Sequence, residues 1–133
     1  MTDLSGVREC LGAWLAAFNA KDIESLMSLY DPESSYAGAR TPLMRGIDEI
    51  RACYERSFPQ VTGTLMFKEE AVFEQESMAL IYGSFYFKPD ADVDEPGTTG
   101  RVAIVYRRAG DGSWKLLFDM DNSAPDVTPK DFM

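Results

Sequence analysis

The chain has 133 residues, 45% of them hydrophobic and 26% charged, a balance that suits one globular core and leaves no room for a second domain. Thirteen Lys plus Arg against 22 Asp plus Glu leave a net charge of -9, so binding to nucleic-acid phosphates or an anionic membrane would work against the protein's own field. There is no histidine, which excludes His-containing triads, His-based zinc sites and facial triads. Acid or base chemistry is left to carboxylates, Tyr, Lys or Cys with shifted pKa values.

In chain order, Leu4, Val7, Leu11, Trp14 with Leu15, and Phe18 recur at steps of three and four, predicting a first helix of about four turns. Asp22 is a good N-cap for a short second helix carrying Ile23, Leu26, Met27 and Tyr30, which Pro32 is expected to end. Ser34 to Ala37 reads as a brief edge strand. Gly46 opens a third helix, with Asp48 and Glu49 suited to its N-terminus and Ile47, Ile50, Tyr54 and Phe58 on one face, before Pro59. From Thr64 the period changes to two, with Leu65, Phe67, Ala71 and Phe73, and then Met78 to Phe87, forming two strands joined at Glu74 to Ser77. Lys88 to Gly100 reads as a polar loop. Strands then follow over Arg101 to Arg108 and Trp114 to Asn122, joined by the turn signal Gly110-Asp111-Gly112. Residues 124–133, with two prolines, are expected to form a surface tail. Helices followed by an antiparallel meander predict an α+β fold, three N-terminal helices packed on a curved sheet with a cavity at its open end, in one domain over residues 1–133.

Cys10 and Cys53 lie 43 positions apart without a CxxC pair, so they are expected to be reduced, buried thiols rather than zinc ligands or a redox motif. Cys53 has no base near it in sequence to make it a nucleophile. The start of the chain has no basic leader and no stretch of 18 apolar residues; a cytoplasmic protein without membrane contact is the expectation. Asp90-Ala-Asp92-Val-Asp94-Glu95 has the opening of a calcium loop, but Glu95 stands where Gly is needed and Arg101 where Glu is needed. It reads as a solvated acidic loop, and no metal or other cofactor is expected.

Several segments together resemble one family. They are Trp14-Leu-Ala-Ala-Phe-Asn-Ala-Lys-Asp22, Leu29-Tyr30-Asp31-Pro32, Arg45-Gly46-Ile47-Asp48-Glu49-Ile50 and Gly112-Ser-Trp114-Lys-Leu. In this order and spacing they are similar to the SnoaL-like and ketosteroid isomerase-like branch of the nuclear transport factor 2-like superfamily, over residues 4 to 123. The resemblance implies a cystatin-like cone with a pocket, and a homodimer formed through the sheet. The superfamily includes isomerases, cyclases, hydrolases, dehydratases and non-catalytic binding or assembly modules, so fold alone does not choose among them.

The ketosteroid isomerase roles, a carboxylate base with a Tyr and a protonated Asp as donors, fall here on Ala37 or Gly38, on Trp14, and on Val102 to Val105, where no acid stands. The hydrolase-type Arg-x-Asp pattern reads Arg101-Val-Ala103 and also lacks an acid. The cyclase-type His-Trp-Asp segment reads Leu117-Phe118-Asp119, which keeps the Asp and loses the His. Resemblance thus implies Asp119 as the catalytic acid or base in the pocket, with Arg101 and Asp121 beside it and Trp14 with a Tyr orienting the substrate. Strand alternation argues the other way. Trp114, Leu116, Phe118 and Met120 form the more apolar row, which would turn Asp119 and Asp121 outward to pair with Arg101 or Arg107. Phe18, Tyr30, Tyr36, Tyr54, Phe58, Ile81, Phe85 and Phe87 would converge on an apolar pocket, as ligand contacts or as core. Gly83 would make a strand bend or leave space for a ligand. Two functions remain open: a cofactor-free isomerase, cyclase or lyase acting on a small, neutral or weakly polar molecule, and a non-catalytic ligand-binding or assembly module.

Overall fold

A computed structural model describes residues 5–60, 62–91 and 97–133. Helix α1 (Ser5–Asn19) and the short α2 (Ile23–Met27), capped by Asp22, precede strand β1 (Tyr30–Ala37). The two-residue β2 (Met44–Arg45) and α3 (Ile47–Ser57) follow, and then the long strands β3 (Gly63–Glu74), β4 (Met78–Pro89), β5 (Thr98–Arg108) and β6 (Trp114–Ser123). The six strands form one sheet in the order β2-β1-β6-β5-β4-β3. Its core joins Val7 and Leu11 of α1, Leu26 and Met27 of α2, and Ile50 and Tyr54 of α3 to Ile81, Ile104, Tyr106, Trp114 and Leu116. The α+β class and the three helices on a curved sheet are as expected.

Three expectations need correction. Pro32 does not end the second helix; it lies inside β1, in the stretch between Tyr30 and Ser35 where the pairing with β6 slips, so its missing N–H removes no ladder bond. Nor is that segment a brief edge strand: β1 has eight residues, runs parallel to β6 and leaves the edge to β2. The tail is no free extension. Val127 is buried, Thr99 Oγ1 donates to its carbonyl at 2.9 Å, and Phe132 packs on Tyr86 at 5.8 Å between centroids. The acidic loop reading over Asp92 to Glu95, and Leu4 of the first helix, lie outside the described residues.

Pairing across the sheet sorts its faces. On the side of the helices one row runs Val72, Ile81, Ile104, Asp119, Tyr36. On the opposite side, Phe73, Leu80, Val105 and Phe118 form one row, and Ala71, Tyr82, Ala103, Met120 and Ala37 the next. Glu70 and Leu117 are extra residues, in β3 and β6, that the facing strands do not match; such bulges bend a strand and strengthen its twist.

Glycines let the rings of the concave face lie against the sheet. A methyl group at Gly83 would collide with the Lys68 carbonyl and the Phe67 ring, and one at Gly100 with the Asn122 carbonyl and the Phe85 ring. The space left at Gly83 is therefore filled by Phe67. Gly83→Ala is expected to cost about 2 kcal/mol or more, whereas Gly12→Ala, on an open helix face with nothing within 4 Å, should gain up to about 1 kcal/mol. Urea denaturation of the two variants checks the opposite signs.

Candidate functional site

Between the helices and the concave face lies a cavity of about 310 Å³. Helix α1 contributes Leu11, Trp14, Leu15 and Phe18, and α3 contributes Tyr54. The sheet adds Tyr36, Leu65, Phe67, Phe85, Phe87, Thr98, Val102, Ile104 and Leu116, and among the described residues the charged lining groups are Asp119 and Asp121. These are apolar walls with a few convergent polar groups, the usual make-up of a small-molecule site.

Asp119 and Asp121 point inward because of Leu117. Tyr106 pairs with Leu116 but Val105 pairs with Phe118, so Leu117 has no partner on β5. Trp114 and Leu116 are buried as the apolar alternation predicts; beyond the bulge the parity reverses, and Asp119 is 6% exposed while Met120 is 50% exposed. The expectation that Phe118 and Met120 continue the core row is thus overturned, as is outward pairing of the two Asp residues.

The two carboxylates have different surroundings. Asp121 accepts from the Tyr36 hydroxyl at 3.0 Å and from the Ala39 N–H at 2.8 Å. Asp119 Oδ1 is buried with no hydrogen-bond partner among the described residues. Burial, and after it the charge of Asp121, push the Asp119 carboxyl up to about 8, so most of it holds its proton at neutral pH. Around it stand phenols: Trp14 Nε1 donates to the Tyr30 hydroxyl at 3.1 Å, and the Tyr30 and Tyr54 hydroxyls are 3.2 Å apart. Burial holds Tyr30, Tyr36 and Tyr54 above the ordinary tyrosine range, each helped by the nearby charge of an aspartate.

Of the residues singled out in the sequence for the pocket, Trp14, Phe18, Tyr36, Tyr54, Phe85, Phe87, Asp119 and Asp121 line the cavity. Trp14 presents its ring, since its N–H is spent on Tyr30. Tyr30, Phe58 and Ile81 are core: Tyr30 is 3% exposed and hydrogen-bonded behind the wall, Phe58 packs on Phe18 and Tyr54, and Ile81 sits between Val72 and Ile104. Arg101 is on the convex side, where it makes a bidentate pair with Asp126 at 2.9 and 2.8 Å and reaches Glu70 at 3.1 Å. It can stabilise no charge in the pocket. Arg107 is likewise committed to Asp31 and Glu33. Reasoning from sequence did not assign Leu65, Phe67, Thr98 and Val102 to the pocket. The alternation through Leu65 and Phe67 put both on one face of β3, but no local pattern shows how far a cavity extends along a strand. Cys10 and Cys53 are free and half-buried; burial pushes the Cys10 thiol up to about 11, which makes it a poor nucleophile. No cluster suited to a metal occurs among the described residues.

A carboxyl whose folded-state pKa is raised stabilises the fold below its unfolded value, near 3.8, and that contribution is lost as pH climbs toward 8. Asp119→Asn, which removes the titration and keeps the shape, is expected to exceed the native protein in stability at pH 8 by about 2 kcal/mol or more. The gap should shrink toward pH 5, as read by denaturation at both pH values.

Comparison by sequence with curated proteins gives no match. Solved structures share the architecture. A ketosteroid isomerase-like protein from Erwinia carotovora is 19% identical with TM-score 0.78, covering 95% of this chain and 97% of its own. A nuclear transport factor 2-like protein of unknown function from Pseudomonas putida is 20% identical with TM-score 0.79, covering 94% and 95%. A nuclear transport factor 2-like protein with a cystatin-like fold from Novosphingobium aromaticivorans is 15% identical with TM-score 0.78, covering 95% and 84%. At these identities the likeness is one of fold. The model of the SnoaL-like domain matches residues 11–116, stopping just before Asp119, and with most of its length inside that match the chain belongs to the SnoaL-like domain family.

Proposed function

We propose that the cavity binds a small, neutral or weakly polar molecule and that Asp119 moves a proton on it without a cofactor, as an isomerase, cyclase or lyase would require. The observation that carries this reading is the buried Asp119 carboxyl, whose Oδ1 has no hydrogen-bond partner among the described residues in the wall of a mostly apolar cavity. An unpaired buried polar group on a cavity wall calls for an explanation, and a carboxyl poised near 8 can give or take a proton near neutral pH. In a proton-shuttle cycle the carboxylate takes a proton from a weakly acidic C–H of the ligand and returns it at the same or another atom, so that it ends as it began. Asp121, held by the Tyr36 hydroxyl and the Ala39 N–H, lies beside it. Anionic ligands are disfavoured, because no cation lines the cavity among the described residues.

The enolisable bicyclic ketone 2-tetralone, small enough for the cavity, is a suitable probe. In deuterated buffer the native protein is expected to speed deuterium uptake at its acidic carbon, with a rate that rises with pH and levels off above about 8. Asp119→Asn should lower the rate by about a hundredfold or more while still binding the ketone. Binding with no exchange above the buffer rate would leave the non-catalytic reading, a ligand-binding module of the same fold, as the correct one.

We propose further that a second copy of the chain covers the convex face. Two apolar rows cross four and five strands there, Phe73 and Met120 are 59% and 50% exposed, and the Arg107 and Arg101 ion-pair groups flank the rows. An apolar centre with a charged rim of both signs suits self-association. Sedimentation should give a dimer for the native chain and a monomer for Phe73→Glu combined with Met120→Lys; a native monomer at micromolar concentration refutes this arrangement.

A further inference from the structure

We infer that the cavity also takes organic cations, apolar ammonium ions whose charge lies between the Asp119 carboxylate and the aromatic walls, and that such an ion enters in exchange for the proton of Asp119. The inference rests on the reading of the cavity as a ligand site and adds a second class of occupant to the neutral molecules proposed for it.

Charge and shape point the same way. Asp119 and Asp121 face one cavity, and no cation lines it among the described residues. Arg101 and Arg107 are bound to acids on the convex side. Both Asp121 oxygens already accept, from Tyr36 and Ala39. Asp119 Oδ1, in contrast, is buried on the wall with no hydrogen-bond partner among the described residues, so it is open to a positive charge inside the cavity. The walls suit an organic ion rather than a metal ion. A metal ion needs several oxygen donors, and no cluster suited to one occurs among the described residues. Substituted ammonium ions are instead held by the faces of aromatic rings, of which Trp is the best. Trp14 and Phe18 stack at 5.1 Å, Phe18 meets Tyr54 edge-on at 6.2 Å, and Phe67 and Phe85 add rings from the sheet.

A proton balance accompanies entry. As the cation arrives, the Asp119 carboxyl gives its proton to the solvent, so one positive charge replaces another and the charge of the site is unchanged. Burial and the charge of Asp121, on β6, push the carboxyl up to about 8, so at pH 7 about a tenth of the protein has the carboxylate that the ion needs, and the apparent affinity falls by that fraction. The other titratable groups around Asp119 stay neutral over this range. Tyr30 and Tyr36 of β1, Tyr54 of α3 and Tyr106 of β5 are held above the ordinary tyrosine range, by burial first. Helix α1 brings the uncharged Leu11, Trp14, Leu15 and Phe18 to the wall. Affinity for the ion therefore rises about tenfold from pH 6 to pH 7 and levels off above about 8.

The test compares phenyltrimethylammonium, which has no ionisable proton, with tert-butylbenzene, its neutral counterpart of the same shape. Both are small enough for a cavity of about 310 Å³. Calorimetry at pH 6, 7 and 9, in two buffers of different ionisation enthalpy, reads affinity and protons released together. At pH 7 the native protein should release close to one proton for each ion bound, and at pH 9 almost none, with the tenfold rise in affinity between pH 6 and pH 7. The hydrocarbon should show neither the rise nor the release. Asp119→Asn should lower affinity for the ion at pH 9 about tenfold or more and abolish both its rise and its proton release. Unchanged affinity of that variant for tert-butylbenzene shows the cavity to be intact. Binding of the hydrocarbon without binding of the ion at pH 9 overturns the inference and leaves the neutral ligands in place. Ion binding without proton release at pH 7, or with the same pH dependence in Asp119→Asn, puts the ion on the acidic surface and overturns it equally. Failure of both probes to bind the native protein removes the ligand site and this inference together. Deuterium exchange in 2-tetralone enters none of these outcomes, so the proton-transfer reading stands or falls separately.

Discussion

Leu117 occupies a place in β6 for which β5 has no counterpart, and the site depends on that mismatch. Side chains of a strand alternate, so an unbroken β6 that buries Trp114 and Leu116 would bury Phe118 and Met120 as well and hold Asp119 in water. The bulge lets one strand serve two purposes. Its first half supplies core, with Trp114 also receiving the Arg108 guanidinium 4.3 Å from its ring centroid. Its second half turns two carboxylates inward and gives its apolar residues to the convex face. The β3 bulge at Glu70 similarly reorients a charge, placing that carboxylate on the convex side with Ser84 and Arg101.

Once inside, the two acids diverge for reasons visible in their neighbours. Asp119 is flanked along its row by Ile104 and Tyr36, with nothing to compensate its charge, so burial dominates and the proton stays on. Asp31 is the useful contrast, being just as buried at 6%. There too burial opposes the charge, but two bonds from Arg107 and one from the Glu33 N–H outweigh it and hold the carboxyl below its ordinary range. Burial alone therefore does not mark a functional acid. What separates Asp119 from Asp31 is an Oδ1 that is buried with neither a hydrogen bond nor a cation among the described residues.

Much of the fold was legible because it rests on periodicity and end signals that act locally. The α1 stripe, the Asp22 cap, the Gly46 start of α3 and the turn at Gly112, whose φ is +89, are each set within a few residues. Non-local features were not legible. Tyr30 and Pro32 follow a helix closely enough to read as its end, and only the backbone of β6 makes them a strand. For the pocket, aromatic residues were recognised by type, but the division between wall and core was not. Tyr30 and Tyr54 look equivalent in sequence, yet one is buried behind the other. The direction of Asp119 turned on the bulge, and neither alternation nor resemblance alone describes β6: alternation holds up to Leu116, and the parity implied by resemblance holds from Asp119.

The absence of histidine acquires a structural meaning in this setting. An imidazole beside Asp119 could donate to the carboxylate and carry charge, which would favour ionisation and draw the pKa down. With Leu117 and Phe118 preceding it, and Arg101 and Arg107 held by acids on the convex side, the carboxyl has, among the described residues, neutral phenols and the Asp121 charge to respond to. The same arrangement that keeps its proton in place leaves its Oδ1 without a hydrogen bond among the described residues.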